Sequence, residues 1–239
     1  MNGLVDIHCH MVPGVDDGAK NFRMTRQMLI LQKRQHVEKI IVTPHMRVGM
    51  FETPQAEINR RFMKMQELVA RMRIGIDLYL GCEYHRSSSM VRNLDEGKRP
   101  TLAGSKYVLT EFSAAHSYEK IRSQIYDLVV RGYIPVIAHI ERYPALMKDF
   151  DRVEDLIDMG AKMQITSSAI IGETGWKAKR LCKKLIQEDF VDYIASDSHD
   201  LAKRRPNLGE CADYLEKKKG RAYVNKIMRE NPRKILGGR

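Results

Sequence analysis

The chain has 239 residues, 43% hydrophobic and 30% charged, with a formal net charge of +11 at pH 7. That length provides a core of ordinary size. Its best candidate for a membrane span, Leu128 to Ile140, is cut by Arg131, Gly132 and Pro135, which excludes a span there. The basic surplus biases the surface toward anionic partners but does not choose among nucleic acid, acidic membrane and phosphorylated protein.

Asp6, His8 and His10 stand where a secretory signal would carry its apolar stretch, and no cleavage site of small residues follows, so a cytoplasmic location is expected. In chain order, short runs rich in Val, Ile and Tyr alternate with longer segments of helical periodicity, the pattern of strand and helix units around a parallel sheet. The expected strands are Leu4 to His8, Lys39 to Pro44, Ile76 to Glu83, Tyr107 to Glu111, Ile134 to His139, Lys162 to Ile165 and Asp192 to Asp197. Between the second and third, Ile58, Phe62, Met65, Leu68, Val69 and Met72 recur at helical steps and predict an apolar stripe for core packing. Gly132 and Gly160 punctuate the approaches to the fifth and sixth strands. The basic clusters LCKKL and LEKKKGR have helical spacing and read as solvated faces. No linker, composition break or repeat divides the chain, and one domain over residues 1–239 is expected.

Cys9, Cys82, Cys182 and Cys211 lie far apart with no CxxC pair, so they read as buried residues rather than a disulfide framework or a zinc ribbon. The chemistry lies elsewhere. Side chains alternate across a strand, which points His8 and His10 to one face and Cys9 to the other. HxH alone is a weak signal, and its weight comes from the other strands. The second ends in TPHM with His45, the third in GCEYH with Glu83, and the fourth in LTEFS with Glu111. The fifth ends in VIAHIER with His139 and the seventh in ASDSHD with Asp197 and His199, whereas the sixth, ending QITSS, brings no His, Asp or Glu.

In a barrel of parallel strands these ends share one rim, where the loops build the active site, so residues distant in sequence are expected to converge. Asp17, from the loop after the first strand, completes a set of five imidazoles and four carboxylates. A single zinc ion uses fewer, so several ions are implied. Bridging carboxylates and a mixed nitrogen and oxygen set suit manganese, iron, zinc or cobalt better than calcium or magnesium alone. Packed carboxylates also repel one another unless cations lie between them, and a site so loaded attracts an anion. Each residue alone has a plainer reading, as a solvated Glu or a hydrogen-bonded His, but that reading does not cover their joint placement. Of the other histidines, His36 reads as a helix-terminal group, His85 as a spare on the face of Glu83, and His116 as a loop residue near the site.

The ordered set VDIHCHMVPGVDDGAK, TPHMRVGMFETP, LGCEYH, LTEFS, PVIAHIERYPAL, LIDMGAKMQIT, ASDSHD and NPRKIL resembles the PHP superfamily of metal-dependent phosphoesterases. Within it, the chain is most similar to the bacterial tyrosine-protein phosphatases of capsule and exopolysaccharide loci, over essentially its full length. The resemblance implies an α/β fold, a distorted (β/α)7 TIM-like barrel in one domain. It implies a trinuclear site on His8, His10, Asp17, His45, Glu83, Glu111, His139, Asp197 and His199, holding three divalent ions, manganese foremost, with iron, zinc, cobalt or magnesium as alternatives. The family's phosphate-binding arginine in HIER falls on Arg142, and a second, after the DxH motif, on Arg204. AKRRP departs from the pattern by setting Arg204 and Arg205 side by side, and Asp200 stands where asparagine is usual, adding negative charge at the rim.

The activity implied is hydrolysis of phosphotyrosine by a hydroxide held between two metals, with no covalent phosphoenzyme. Phenolate, with a parent pKa of about 10, leaves readily enough that no general acid is assigned. The cysteine route to the same reaction needs an arginine six residues after the thiolate, and Val15, Ser88, Glu188 and Lys217 stand at that offset. The partner implied is a phosphotyrosine-bearing protein, the tail of an autophosphorylated bacterial tyrosine kinase at the inner membrane face. A small-molecule phosphatase such as histidinol phosphatase shares most of the ligands, but GMFETP and HIERY favour the protein phosphatase branch. No stretch interleaves aromatic and basic residues to hold a nucleic-acid strand, and no such partner is expected.

Overall fold

One expected strand forms in two pieces, and another is followed, after a two-residue break, by a short strand of its own. The computed structural model describes residues 3–237. Its strands are β1 (Leu4–Cys9), β2 (Val37–Val42), β3 (His45–Met46), β4 (Asp77–Leu80), β5 (Glu83–His85), β6 (Tyr107–Glu111), β7 (Ile134–Ile137), β8 (Lys162–Thr166) and β9 (Tyr193–Ala195). All neighbours pair in parallel, in the orders β1-β2-β4 and β3-β5-β6-β7-β8-β9.

The expected second strand ends at Val42, and the short β3 follows it beyond Thr43 and Pro44, while the third divides at Gly81 and Cys82. These breaks lie side by side, because the Gly81 N–H donates to the Val42 carbonyl at 2.8 Å and the Glu83 N–H to that of Pro44 at 3.2 Å. Proline has no N–H to offer the ladder. At Gly81 a Cβ would come within 2.9 Å of the Leu102 side chain and 3.1 Å of Ile41, so glycine lets these side chains pack closely against the backbone here. Beyond the kinks, His45 and Glu83 resume the pairing as register partners. The interruption thus sets a histidine and a glutamate next to each other at the rim.

On the opposite side, the His10 N–H donates to the Ser198 carbonyl and the Asp197 N–H to that of His8, both at 2.9 Å. The parallel sheet therefore curls until β1 lies beside the chain leaving β9. Val5, Ile7, Ile41, Leu109, Val136 and Tyr193 share one buried cluster although they come from strands that are not all neighbours, as a curled sheet allows. A larger cluster packs the strands against the helices. It takes the predicted stripe on helix Gln55–Met72, with Ile58, Phe62, Met65 and Val69 buried and Leu68 and Met72 partly so. Each fully buried side chain of that kind contributes about 1.5–3 kcal/mol.

His139 and Asp197, just past the ends of β7 and β9, have φ of 35° and 51°. Left-handed backbone at non-glycine residues costs roughly 1–3 kcal/mol and gathers at functional sites. His36 also has positive φ, 63°, after helix Phe22–Arg34, and it meets the Lys33 carbonyl with its backbone N–H at 3.0 Å while its ring stays exposed. Among the described residues no helix is long and apolar enough to cross a membrane.

Candidate metal centre

The end of β5 supplies the hub. Glu83 is fully buried, and its Oε2 lies 3.2 Å from His8 Nε2, 3.2 Å from His10 Nε2 and 3.0 Å from His45 Nδ1. Its Oε1 lies 2.9 Å from His139 Nε2. Asp197 Oδ1 stands 3.3 Å and 3.5 Å from the Nε2 atoms of His8 and His10. Asp17 Oδ1 is 3.4 Å from His199 Nε2 and 3.5 Å from His45 Nε2, and Glu111 lies 3.8 Å from both His45 Nδ1 and His139 Nε2. All nine groups named from the sequence therefore meet in one place.

Their donor atoms fall into three overlapping sets: His10, Asp17, His45 and His199; His8, His10, Glu83 and Asp197; and His45, Glu83 and Glu111. Within each, the atoms lie within 4.8 Å of one another. His139 belongs to none of these sets and adjoins them through Glu83 and Glu111. Buried His45 Nδ1, Glu83 Oε2, Glu111 Oε2, Asp197 Oδ1 and His199 Nε2 have no hydrogen-bond partner. Such orphaned atoms cost about 1–3 kcal/mol each unless something satisfies them. Divalent cations fit this donor set, since imidazole nitrogens and carboxylate oxygens face a common interior.

Four of the five rings are aimed from behind. His8 Nδ1 is 3.1 Å from Gln164 Oε1, His10 Nδ1 is 2.9 Å from Asp16 Oδ2, His139 Nδ1 is 3.1 Å from the Tyr143 hydroxyl, and His199 Nδ1 is 2.9 Å from the Asp197 carbonyl oxygen. Each outer contact leaves Nε2 facing inward. Groups that hold the far nitrogen of a ligating histidine fix both ring orientation and tautomer. Asp16 Oδ2 also accepts the His45 N–H at 3.0 Å, and Gln164 Oε1 the His139 N–H at 3.0 Å, so each braces two histidines. Gly18 makes the Asp16–Asp17 turn possible, since a Cβ there would lie 2.2 Å from the His10 carbonyl oxygen. Farther out, buried Asp6 accepts from Ser196 N and Oγ at 3.0 and 2.5 Å and from Gln32 at 2.6 Å, tying β1 to the chain after β9.

Electrostatics divide the cluster. For Glu83 and Asp197, burial disfavours the charge, but His8 and the other cations around them outweigh it and hold both carboxyls well below their usual range. Glu111 goes the other way, pushed up to about 7 by burial and by the Glu83 charge. Burial also opposes charging His8 and His10, yet neighbouring carboxylates raise both. His139 is lowered to about 4 by burial and Arg142, and His199 to about 4 by burial and His10.

At the mouth, Arg142 Nη2 and Arg204 Nη2 both donate to Asp197 Oδ2, at 2.5 and 2.8 Å. Arg205 turns away to Glu173, at 2.7 Å, and to Glu210. Asp200 Oδ1 accepts from the backbone N–H groups of Ala202, at 2.6 Å, and Arg204, at 3.0 Å, so its carboxylate shapes the loop that presents Arg204. His85 and His116 lie 5.9 Å apart by ring centroid and belong to none of the donor sets. Asp16, Gln164 and Tyr143 went unseen in the sequence. Only the tandem DD could have signalled one of them.

Residues 4–237 match the family described as capsular polysaccharide synthesis, CpsB/CapC. The chain is 36% identical to the tyrosine-protein phosphatase CpsB of Streptococcus pneumoniae, over 98% of each chain. It is 30% identical to the tyrosine-protein phosphatase YwqE of Bacillus subtilis, over 98% of this chain and 91% of that one. A crystal structure from work on YwqE and CpsB, described there as metal-dependent tyrosine phosphatases, superposes with a TM-score of 0.86 at 29% identity, covering 98% and 92% of the two chains. A zinc-bound histidinol phosphate phosphatase from Lactococcus lactis, with a TM-score of 0.58 at 15% identity over 92% and 95% of the chains, shares the fold. The chain belongs to the CpsB/CapC family.

Proposed function

We propose that this protein is a metal-dependent protein-tyrosine phosphatase, working as one domain, that acts on an autophosphorylated bacterial tyrosine kinase and so regulates capsule or exopolysaccharide synthesis from the cytoplasm. The observation that carries this reading is the convergence of four histidines on the buried Glu83 carboxylate beside two arginines joined through Asp197. His8, His10, Asp17, His45, Glu83, Glu111, His139, Asp197 and His199 would hold three divalent ions, manganese foremost. Bound ions supply positive charge for phosphoryl oxygens and bring the pKa of an attacking water toward about 7. Counting β2 with β3 and β4 with β5 as broken single strands supports a seven-stranded distorted barrel as the finer description of the fold.

The chain's own groups do the remaining work. Arg142 and Arg204 are anchored on Asp197 by one hydrogen-bonding nitrogen each, with Arg204 Nη1 also 3.7 Å from Asp17, and their remaining N–H groups would hold the non-bridging phosphate oxygens in the planar geometry a guanidinium offers. Glu83 and Asp197, kept ionised, hold the donor set together, while Gln164, Asp16 and Tyr143 keep the rings aimed. A phenolate leaves without strong acid assistance. A cysteine nucleophile has no place in this scheme: all four thiols are buried, and burial pushes them up, Cys82 to about 12.

Phosphate release from a phosphotyrosine peptide and from histidinol phosphate distinguishes the two branches of phosphatase. A higher kcat/KM for the peptide is expected, and a higher one for histidinol phosphate would overturn the protein-phosphatase reading.

A further inference from the structure

Away from the metal centre, a groove of about 570 Å³ runs between helices Trp176–Gln187 and Leu208–Lys219. Its floor is apolar, made by Ile170, Cys182, Ile186 and Leu215, all buried. Its walls are cationic, with Lys179, Arg180 and Lys183 on one helix and Lys218 and Lys219 on the other. No Asp or Glu lines it. None of these five cations takes part in a salt bridge among the described residues. Lys179 is held instead by the Ile171 carbonyl, at 3.3 Å, and over the Tyr214 ring, 4.8 Å from its centroid. Three nearby acids are occupied elsewhere: Glu173 and Glu210 by Arg205, and Glu216 by Arg221 at 2.9 Å.

Solvated helix faces usually alternate charge, which makes the asymmetry here informative. Helix Trp176–Gln187 carries five Lys and Arg residues and no acid. At its N-terminal end stands Trp176, 68% exposed and the only tryptophan in the chain. An exposed Trp beside an apolar trough rimmed with unpaired cations is the composition of a binding hot spot rather than of a solvated surface.

We infer that this groove is a docking site for an acidic segment of a protein partner, one that carries an aromatic or aliphatic side chain to seat beside Trp176. Carboxylates along the segment would neutralise the wall cations while its apolar anchor covers the floor. Concavity selects this occupant, because a flat bilayer cannot follow a trough whose apolar surface lies recessed between two helices. A nucleic-acid strand would find a single aromatic stacking platform over an aliphatic floor, where several are the rule. The reading is independent of the phosphatase assignment, since none of the groove residues belongs to the metal centre.

Trp176 makes the test direct. Its fluorescence is followed as the intact protein is titrated with a random glutamate–tyrosine copolymer, with phosphatidylserine vesicles, and with a single-stranded oligonucleotide. We expect a saturable change with the copolymer that weakens as salt is added, and that requires about tenfold more copolymer in the Lys183→Glu/Lys218→Glu variant. Both substitutions fall on exposed side chains outside the catalytic cluster, so near-ultraviolet circular dichroism and peptide turnover should match the parent. No fluorescence change with the copolymer, an unchanged midpoint in the double variant, or an equal or stronger response to vesicles or oligonucleotide would overturn the proposal. Because the titration needs no turnover, its outcome does not depend on whether the metal centre hydrolyses phosphotyrosine.

Discussion

Gln164 sits on β8, the one of the seven expected strands that brings no His, Asp or Glu to the rim, yet its side chain braces two of the site's histidines. Its Oε1 accepts from His139 N at 3.0 Å and lies 3.1 Å from His8 Nδ1. Gln164→Met keeps the bulk and removes the acceptor, which orphans a buried ring N–H and a buried backbone N–H. Each orphan costs about 1–3 kcal/mol, so a loss of about 3 kcal/mol is a moderate expectation for the pair. In a chain of this size that lowers Tm by about 6–12 °C. His8 also loses the contact that keeps Nε2 directed at Glu83 and Asp197, and removing such an outer brace typically weakens metal affinity by about 10- to 100-fold. Gln164→Glu retains an acceptor for both donors and should bind metal more tightly than Gln164→Met. Thermal unfolding in chelator gives the stability difference, and competition for manganese against a fluorescent chelator gives the affinity. A Gln164→Met variant with parental Tm and parental manganese affinity would refute this account of how His8 and His139 are positioned.

Other expectations concern the mouth, the thiols and the protons. Arg142→Lys keeps a charge but loses the planar fork anchored on Asp197, and should lower kcat/KM for a phosphotyrosine peptide by about 10- to 100-fold, seen in steady-state kinetics. Because all four cysteines are buried, exhaustive treatment with iodoacetamide should leave native activity intact, and stoichiometric inactivation would restore the cysteine route. Glu111 keeps a proton to about pH 7, above its ordinary value, whereas a cation needs the carboxylate. Metal uptake below pH 7 therefore releases that proton, and affinity should fall by about tenfold per pH unit for this group as pH drops further. Calorimetry in buffers of different ionisation enthalpy reads the proton release, and none at pH 6 would contradict the assignment.

The convergence of the nine groups was legible because eight stand at or just beyond the ends of expected strands and Asp17 lies in the loop after the first, and parallel strands deliver their ends to a common rim. His8, His139 and Asp197 are far apart in sequence, but the alternation of strand and helix already implied that they would meet. Strand count was less legible. Pro44 and Gly81 interrupt two strands in register, and a break that depends on neighbouring chains being cut at the same level has no local signature. Asp16, Gln164 and Tyr143 were hidden for a related reason: each acts through a hydrogen bond to a histidine's far nitrogen, and for Gln164 that bond spans 156 residues. A neutral glutamine at a strand end looks like any polar residue until the ring it braces is in place. Which of the adjacent Arg204 and Arg205 faces the site was likewise hidden in the sequence, since the loop shaped by Asp200 determines which guanidinium reaches Asp197.

Chelator-treated protein, assayed on a phosphotyrosine peptide with and without manganese, puts the convergence of these nine groups to work. Activity should vanish in chelator, return when manganese is added, and stay absent in Asp197→Ala under both conditions. Turnover that persists in chelator, or that fails to return with manganese, would contradict a metal-dependent phosphatase built on this cluster.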